Sequence, residues 1–136
     1  MKRHKSLHPL SREHHTGLVF AKRLKESDEA NASKVKEEFY DYWEKDLKIH
    51  FRKEEEILFP FLFGHFSFEE SEIRDFFLQH AEIRKMIFEN GSSLESLHKL
   101  GELIHDHIRF EENKLFPLIE SRLNEKDFAG IMKVLD

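Results

Sequence analysis

Apolar residues recur at intervals of three and four along most of the chain, which is the spacing that places side chains on one face of an α-helix. Four long segments carry such a stripe, and no convincing run shows the alternation of apolar and polar residues that is typical of a strand. The chain holds only three prolines and five glycines, and it lacks an Asn-Gly or Asp-Gly hairpin signal between alternating runs. The pattern therefore predicts an all-α protein.

Short polar segments separate the predicted helices. Ser11 is the predicted N-cap of the first helix, and Ser67 with Glu70 forms a capping-box signal for the third. The third helix is predicted to end at Asn90-Gly91. The predicted helices cover about residues 11 to 25 or 29, 34 to 61, 68 to 90, 94 to 118 and 124 to 134. We expect the last, short helix to pack across an end of a bundle formed by the other four.

One thirteen-residue segment is written twice, as HFRKEEEILFPFL in residues 50–62 and as HIRFEENKLFPLI in residues 107–119. Each copy begins with a histidine and has a glutamate four residues later, so both side chains lie on one helix face. The repeat indicates two helix hairpins related by a pseudo-twofold axis. Four long helices with short connections then predict an antiparallel, up-down-up-down four-helix bundle with a short C-terminal helix.

Length, charge and cysteine content narrow the function. The 136 residues, of which 39% are hydrophobic, fit a single domain over residues 1–136. The absence of cysteine excludes disulfides, thiolate zinc sites, iron–sulfur clusters and a cysteine nucleophile, so any metal must be held by nitrogen and oxygen. The net charge of −5 argues against nucleic acid as a partner. With no secretory signal and no stretch long enough to cross a bilayer, we expect a cytoplasmic protein without a membrane partner.

Several histidines and glutamates occupy the apolar stripes of the predicted helices. A single histidine in such a stripe is more often a core residue than a ligand, but a buried glutamate is costly without a cation, a metal or hydrogen-bond donors. Here the polar positions of four helices have matched depths, which indicates a metal site in the middle of the bundle. The candidate ligands are His14, His15, His50, Glu54, His80, His107 and Glu111.

Two adjacent histidines of the first helix compete for one place in this site. His14 and His15 project about 100° apart on a helix, so only one of them can face the centre. The apolar stripe that includes Leu18 favours His14. His15 is favoured because Leu18 lies three residues after it, as Ile83 lies three residues after His80. Both stay candidates.

The ligand types favour a transition metal. Imidazole together with carboxylate suits iron, manganese, cobalt or zinc, whereas calcium and magnesium sites are built almost wholly from oxygen. Each carboxylate has two oxygens, so Glu54 and Glu111 are able to bridge two metal ions. Four-helix bundles are known hosts of such dinuclear carboxylate centres.

With these motifs, the chain resembles the hemerythrin family, in its bacterial HHE cation-binding branch, over about residues 10–123. The resemblance implies a left-handed four-helix bundle around a non-haem centre of two iron ions with an oxo or hydroxo bridge. Zinc or manganese could replace iron in the purified protein. The resemblance also assigns His50, His80 and His107 as ligands from helices two, three and four. Glu54 and Glu111 are the bridging carboxylates in this assignment.

One position departs from the oxygen-carrying hemerythrins, which have a second histidine on helix three where this chain has Arg84. A guanidinium stays protonated and does not ligate iron, so four histidines and two glutamates remain. We expect Arg84 to reach the surface or to pair with a carboxylate, with contact to an anion near the metals as the alternative. Glu55 and Glu112 are expected in solvent, with contact to a ligand as the alternative.

The predicted function is a non-haem di-iron protein that binds, senses or scavenges dioxygen or nitric oxide, or that handles iron. The ligand composition resembles HHE proteins linked to repair of iron centres and to nitric oxide handling more than the oxygen carriers. An enzyme that reduces peroxide or nitric oxide is an alternative and would need electrons from a redox partner protein. A metal-free helical interaction module is the third hypothesis. The sequence favours binding or sensing over catalysis and sets no oligomeric state.

Overall fold

The structure is a computed structural model that describes residues 2–135, and within them it contains five helices and no strand. A 3₁₀ turn, Lys5–Leu7, precedes α1. The helices are α1 (His8–Lys25), α2 (residues 32–61), α3 (Ser71–Glu89), α4 (residues 94–122) and α5 (Glu125–Leu135). Helix α4 packs along both α1 and α3, and α1 also contacts α2. The predicted all-α bundle with a short C-terminal helix is confirmed.

Two of the long helices contain wider π turns. In α2, the π turns Trp43–Leu47 and Glu54–Leu58 alternate with the segments Ala32–Tyr42, Lys48–Lys53 and Phe59–Phe61. In α4, the π turn Glu111–Leu115 lies between Leu94–Phe110 and Phe116–Arg122. The π turns that begin at Glu54 and Glu111 each end directly before the Phe-Pro pair of the repeat. A proline has no N–H, and in a regular helix its ring collides with the carbonyl four residues earlier. The wider turn before each proline relieves that collision, and such π turns are frequent at functional sites.

Two predicted helix starts were wrong in detail. Helix α1 begins at His8 because Pro9 fits the first turn of a helix, so Ser11 lies inside α1 and is not its N-cap. The Ser67 N–H does donate to Oε2 of Glu70 at 2.8 Å, but this pair forms a turn ahead of α3. The predicted end of α3 at Asn90-Gly91 is confirmed, because α3 ends at Glu89 and is capped by Asn90 in the left-handed conformation, with φ of 55°.

The core lies in two apolar clusters, one on each side of a buried polar layer. One cluster contains Phe39 and Phe51 and fills the half of the bundle that includes the end of α1. The other contains Phe59, Phe76 and Phe116. Helix α5 adds Phe128 and Ile131 to this second cluster, so it closes one end of the bundle as expected.

Two glycines allow α1 and α4 to approach closely. A Cβ on Gly101 would lie 2.7 Å from the carbonyl oxygen of Ala21, and one on Gly17 would lie 2.7 Å from Cδ1 of Ile108. Both distances are below van der Waals contact. The absence of a side chain at these positions therefore allows α1 and α4 to lie this close together. Among residues 2–135, no helix combines the length and the apolar character that a bilayer crossing needs.

Candidate metal centre

Four histidines and two glutamates from all four long helices meet in the polar layer. Helix α1 contributes His14, α2 contributes His50 and Glu54, α3 contributes His80, and α4 contributes His107 and Glu111. Both glutamate side chains are completely buried, and the four histidines are at most 4% exposed. The repeat explains the symmetry of this arrangement, because each copy places its histidine and glutamate one helical turn apart on the inner face.

The donor atoms form two groups that share the glutamates. The first position is surrounded by His14, His50, Glu54 and Glu111, and the second by His80, His107, Glu54 and Glu111. Within each group the donor atoms all lie within 4.8 Å of one another. Two such groups, each with two imidazole nitrogens and two carboxylate oxygens, are suited to two metal ions.

Each glutamate turns one oxygen to each position. At the first position, Nε2 of His14 lies 2.7 Å from Oε1 of Glu111, and Nε2 of His50 lies 3.2 Å from Oε2 of Glu54. At the second position, Nε2 of His80 lies 3.1 Å from Oε1 of Glu54, and Nε2 of His107 lies 3.0 Å from Oε2 of Glu111. This is the arrangement that two bridging carboxylates would need.

Most of these inward atoms have no hydrogen-bond partner. Nε2 of His14, His50 and His107, Oε2 of Glu54 and both carboxylate oxygens of Glu111 are buried and unsatisfied. Buried polar groups without partners are rare in native proteins because desolvation is costly. The unsatisfied atoms face one another around the two positions, so the residues present fit a pair of metal ions.

The other ring nitrogen of each histidine is held from outside. Nδ1–H of His14 donates to Glu112 at 2.6 Å and that of His50 to Glu13 at 2.8 Å. In the other half of the site, Nδ1–H of His80 donates to Glu55 at 2.6 Å and that of His107 to Gln79 at 2.7 Å. Such partners fix the ring orientation and direct Nε2 toward a metal.

Burial and neighbouring charged groups shift the pKa values around the site in opposite directions. Burial alone would raise the pKa of Glu13, but hydrogen bonds from His50 and Lys53 lower it to about 2. Burial would lower the pKa of His50, but the charge of Glu54 and the hydrogen bond to Glu13 raise it to about 9. Burial and neighbouring carboxylates oppose each other in the same way at His80, where the carboxylates prevail and raise the pKa to about 10. Without a metal, protons on His50 and His80 therefore offset part of the charge of the buried carboxylates, and a binding metal would displace these protons.

The structure separates the two candidates of the first helix. His14 faces the cluster, whereas His15 is exposed on α1 and belongs to neither group of donors. The apolar stripe was the better guide because it follows the buried face of α1 itself. The comparison with Ile83 assumed that α1 and α3 are rotated alike, which neighbouring helices need not be.

Arg84 pairs with a carboxylate. Its two terminal nitrogens contact both oxygens of Glu55 at 2.5 Å and 3.0 Å, and its guanidinium lies 5.3 Å from the ring centre of Phe51. Glu55 also accepts from His80. Arg84 is therefore linked to the cluster through Glu55, and its guanidinium is not part of either donor group.

Sequence reasoning gave no role to Glu13 and Gln79. It expected Glu55 and Glu112 in solvent, with contact to a candidate ligand as the alternative, and the structure shows that contact. Glu13 and Gln79 stand directly before His14 and His80, while Glu55 and Glu112 directly follow the shared glutamates. A neighbouring residue projects about 100° away, toward the next helix in the bundle. An acid or amide directly beside a cluster residue is therefore the sequence signal for an outer partner. Which histidine this partner contacts depends on which helix lies next to its own.

Comparison with protein families gives one match. A family model described as the hemerythrin HHE cation binding domain matches residues 5–119, which include all six residues of the cluster. Comparisons with curated proteins and with solved structures give no significant match.

Proposed function

Because the chain belongs to the hemerythrin HHE cation-binding family, we propose that its buried cluster holds two iron ions and that this centre binds dioxygen or nitric oxide. The observation that carries the proposal is the pair of donor groups joined by Glu54 and Glu111. Two separate mononuclear sites would not need to share both carboxylates. We assign the protein to binding, sensing or scavenging of the diatomic ligand.

In this proposal, each ion is held by two histidines and by one oxygen from each glutamate. His14 and His50 hold one ion, and His80 and His107 hold the other. When bound, the iron pair supplies coordination positions that the protein leaves free and a reversible change of oxidation state. Binding a small ligand needs no more protein groups than these.

Aromatic rings keep the cluster dry. The ring of Phe51 stacks on His80 with 3.9 Å between the ring centres, and Phe76 lies 4.2 Å from the same histidine. On the other side, Phe116 stacks on His14 at 5.5 Å. These contacts hold the imidazoles in place and exclude bulk water, which strengthens the electrostatic interactions inside the cluster.

A cavity of about 370 Å³ opens beside the first position. His50 and its partner Glu13 form part of the wall, and Tyr42, Thr16 and Ile49 line the rest of the approach together with charged side chains. The cavity reaches a histidine of the centre, whereas both glutamates stay fully buried. This supports a ligand that is small enough to pass between packed side chains.

A metal-free interaction module is less well supported. It would have to keep two fully buried glutamates and several unsatisfied polar atoms in the middle of its core. That arrangement costs free energy and gives nothing to a surface that binds another protein. The third sequence hypothesis therefore explains less of the structure than the di-iron proposal does.

The test begins with protein purified without air from iron-rich medium. We expect about two iron ions per chain, matching the two donor groups. The absorption spectrum of the reduced protein should change on addition of dioxygen or nitric oxide. Folded protein that takes up no iron when Fe²⁺ is supplied would overturn the metal proposal. Protein with two irons that responds to neither gas would overturn the ligand proposal alone.

A further inference from the structure

The four outer partners of the histidines are not alike. Carboxylates accept the Nδ1–H of His14, His50 and His80, but the side-chain amide oxygen of Gln79 accepts that of His107. The distance of 2.7 Å for the amide is as short as the others. The difference between the partners is therefore one of charge and not of contact.

This difference divides the two metal positions. Both histidines of the first position have an anionic partner, Glu112 for His14 and Glu13 for His50. Each of these carboxylates has a cation nearby, because Lys53 lies 2.7 Å from Glu13 and Arg3 lies 3.3 Å from Glu112.

At the second position, only His80 has an anionic partner. Both oxygens of this partner, Glu55, are engaged by the guanidinium of Arg84. The other histidine, His107, donates to the neutral amide of Gln79. The second position thus has one outer carboxylate and the first has two, and each of the three has a cation beside it.

The charge of an outer partner acts on the metal through the imidazole. A carboxylate that accepts the Nδ1–H draws the proton toward itself and makes Nε2 a stronger donor, whereas a neutral amide does so less. Each outer carboxylate has its own cation beside it, so the positions differ in the acceptors of their Nδ1–H groups and not in net outer charge. The stronger imidazole donors favour a metal at the first position over the second.

We propose that the two metal positions differ in affinity, that the position of His14 and His50 fills first, and that Gln79 weakens the other position through His107. The inference rests on the proposed function, since it concerns the metals of that centre. Gln79 is a positioning residue here, because it does not touch a metal. The weaker position is the one that loses its ion first when a chelator is present.

The chain permits a nearly isosteric test at Gln79. Among residues 2–135, its amide oxygen accepts from His107 and its amide nitrogen donates to no protein atom, and the side chain is half-buried. Gln79→Glu therefore replaces a neutral acceptor by an anionic one without removing a hydrogen bond. Asn113→Asp makes the same chemical change at an exposed position of α4 and is the matched control for added charge.

The experiment is an anaerobic titration of metal-free protein with Co²⁺, followed by calorimetry and by the visible absorption of bound cobalt. For the unmodified chain we expect about two ions in two steps of unequal affinity, one for each donor group. Gln79→Glu should strengthen the weaker step by about 10 to 100-fold and leave the tighter step unchanged. Glu13→Gln should weaken the tighter step by a similar factor, and Asn113→Asp should change neither step.

The outcomes separate the two proposals. Two steps of equal affinity, or a Gln79→Glu variant that leaves the weaker step unchanged, would overturn the inference while metal binding itself stands. An effect of Glu13→Gln on the weaker step would also overturn it, because the positions would then be assigned wrongly. Absence of Co²⁺ binding by a folded chain would overturn the metal proposal itself. Helical circular dichroism of each variant checks that it is folded.

Discussion

Glu54 and Glu111 lie opposite each other at the centre of the bundle, and each directs one carboxylate oxygen to His14 or His50 and the other to His80 or His107. Two buried carboxylates at this distance would repel each other if nothing positive lay between them. Protons on His50 and His80 reduce this repulsion in the metal-free chain, and metal ions would do so in the loaded one.

Replacing either shared glutamate should lower the metal occupancy of both positions, because each glutamate directs one oxygen to each position. Glu111→Gln keeps the shape of the side chain but loses the charge and one of the two donor oxygens, so we expect clearly less than the metal content of the unmodified protein. Metal analysis after loading with Fe²⁺ measures this. Glu56→Gln is the control, because Glu56 is exposed and pairs with Arg52 on the surface. Retention of the full metal content in Glu54→Gln and Glu111→Gln would contradict the bridging roles.

The adjacent histidines of α1 give a matched pair of variants. His14→Ala should lower the metal content because it removes a donor of the first position, and His15→Ala should leave it unchanged because His15 is exposed. Both variants change the same residue type on the same helix turn, so general effects on α1 cancel in the comparison. Equal metal content in the two variants would show that His14 is not a ligand.

Metal should stabilise the fold. An ion that binds only the native state adds free energy of unfolding, about 2.7 kcal/mol at a concentration one hundred times its Kd. For a domain of this size that corresponds to a rise in Tm of roughly 10 °C. Thermal unfolding followed by circular dichroism, with and without Fe²⁺ under argon, measures the shift. Glu111→Gln should show a smaller rise, and an unchanged Tm in the unmodified protein would argue against binding at the buried cluster.

The close approach of α1 and α4 should make Gly101 intolerant of a side chain. Gly101→Ala places a Cβ 2.7 Å from the backbone oxygen of Ala21, which cannot move without shifting α1. The expected cost of overpacking is about 1 to 3 kcal/mol, part of which the better helix propensity of alanine offsets. Urea unfolding measures the difference.

Gly64 provides the control for that variant. A Cβ at Gly64 would meet no atom within 4 Å, and the residue has no positive φ. Gly64→Ala should therefore be neutral or stabilise the protein by about 0.4 to 1 kcal/mol. If Gly101→Ala were equally harmless, the contact between α1 and α4 would be looser than the structure shows.

Part of the fold and part of the site could be predicted by considering each helix separately. The spacing of apolar residues gave the all-α bundle and its long helices, because burial of one helix face repeats along that helix alone. The repeat brought His50 with Glu54 and His107 with Glu111 onto inner faces for the same reason. The π turns that begin at the two glutamates were not expected, although Pro60 and Pro117 stand at matching places in the two copies.

Contacts between helices lie beyond that reasoning. Whether His14 or His15 faces the centre depends on how α1 is rotated about its axis, and one residue changes the direction by about 100°. The pairing of Arg84 with Glu55, and of Gln79 with His107, depends on which helices are neighbours and on their relative heights. The sequence by itself determined which residue types face inward, because that depends on periodicity within a helix. Only the tertiary structure decided which partner each of them meets, because rotation and height of packed helices arise from the whole core at once.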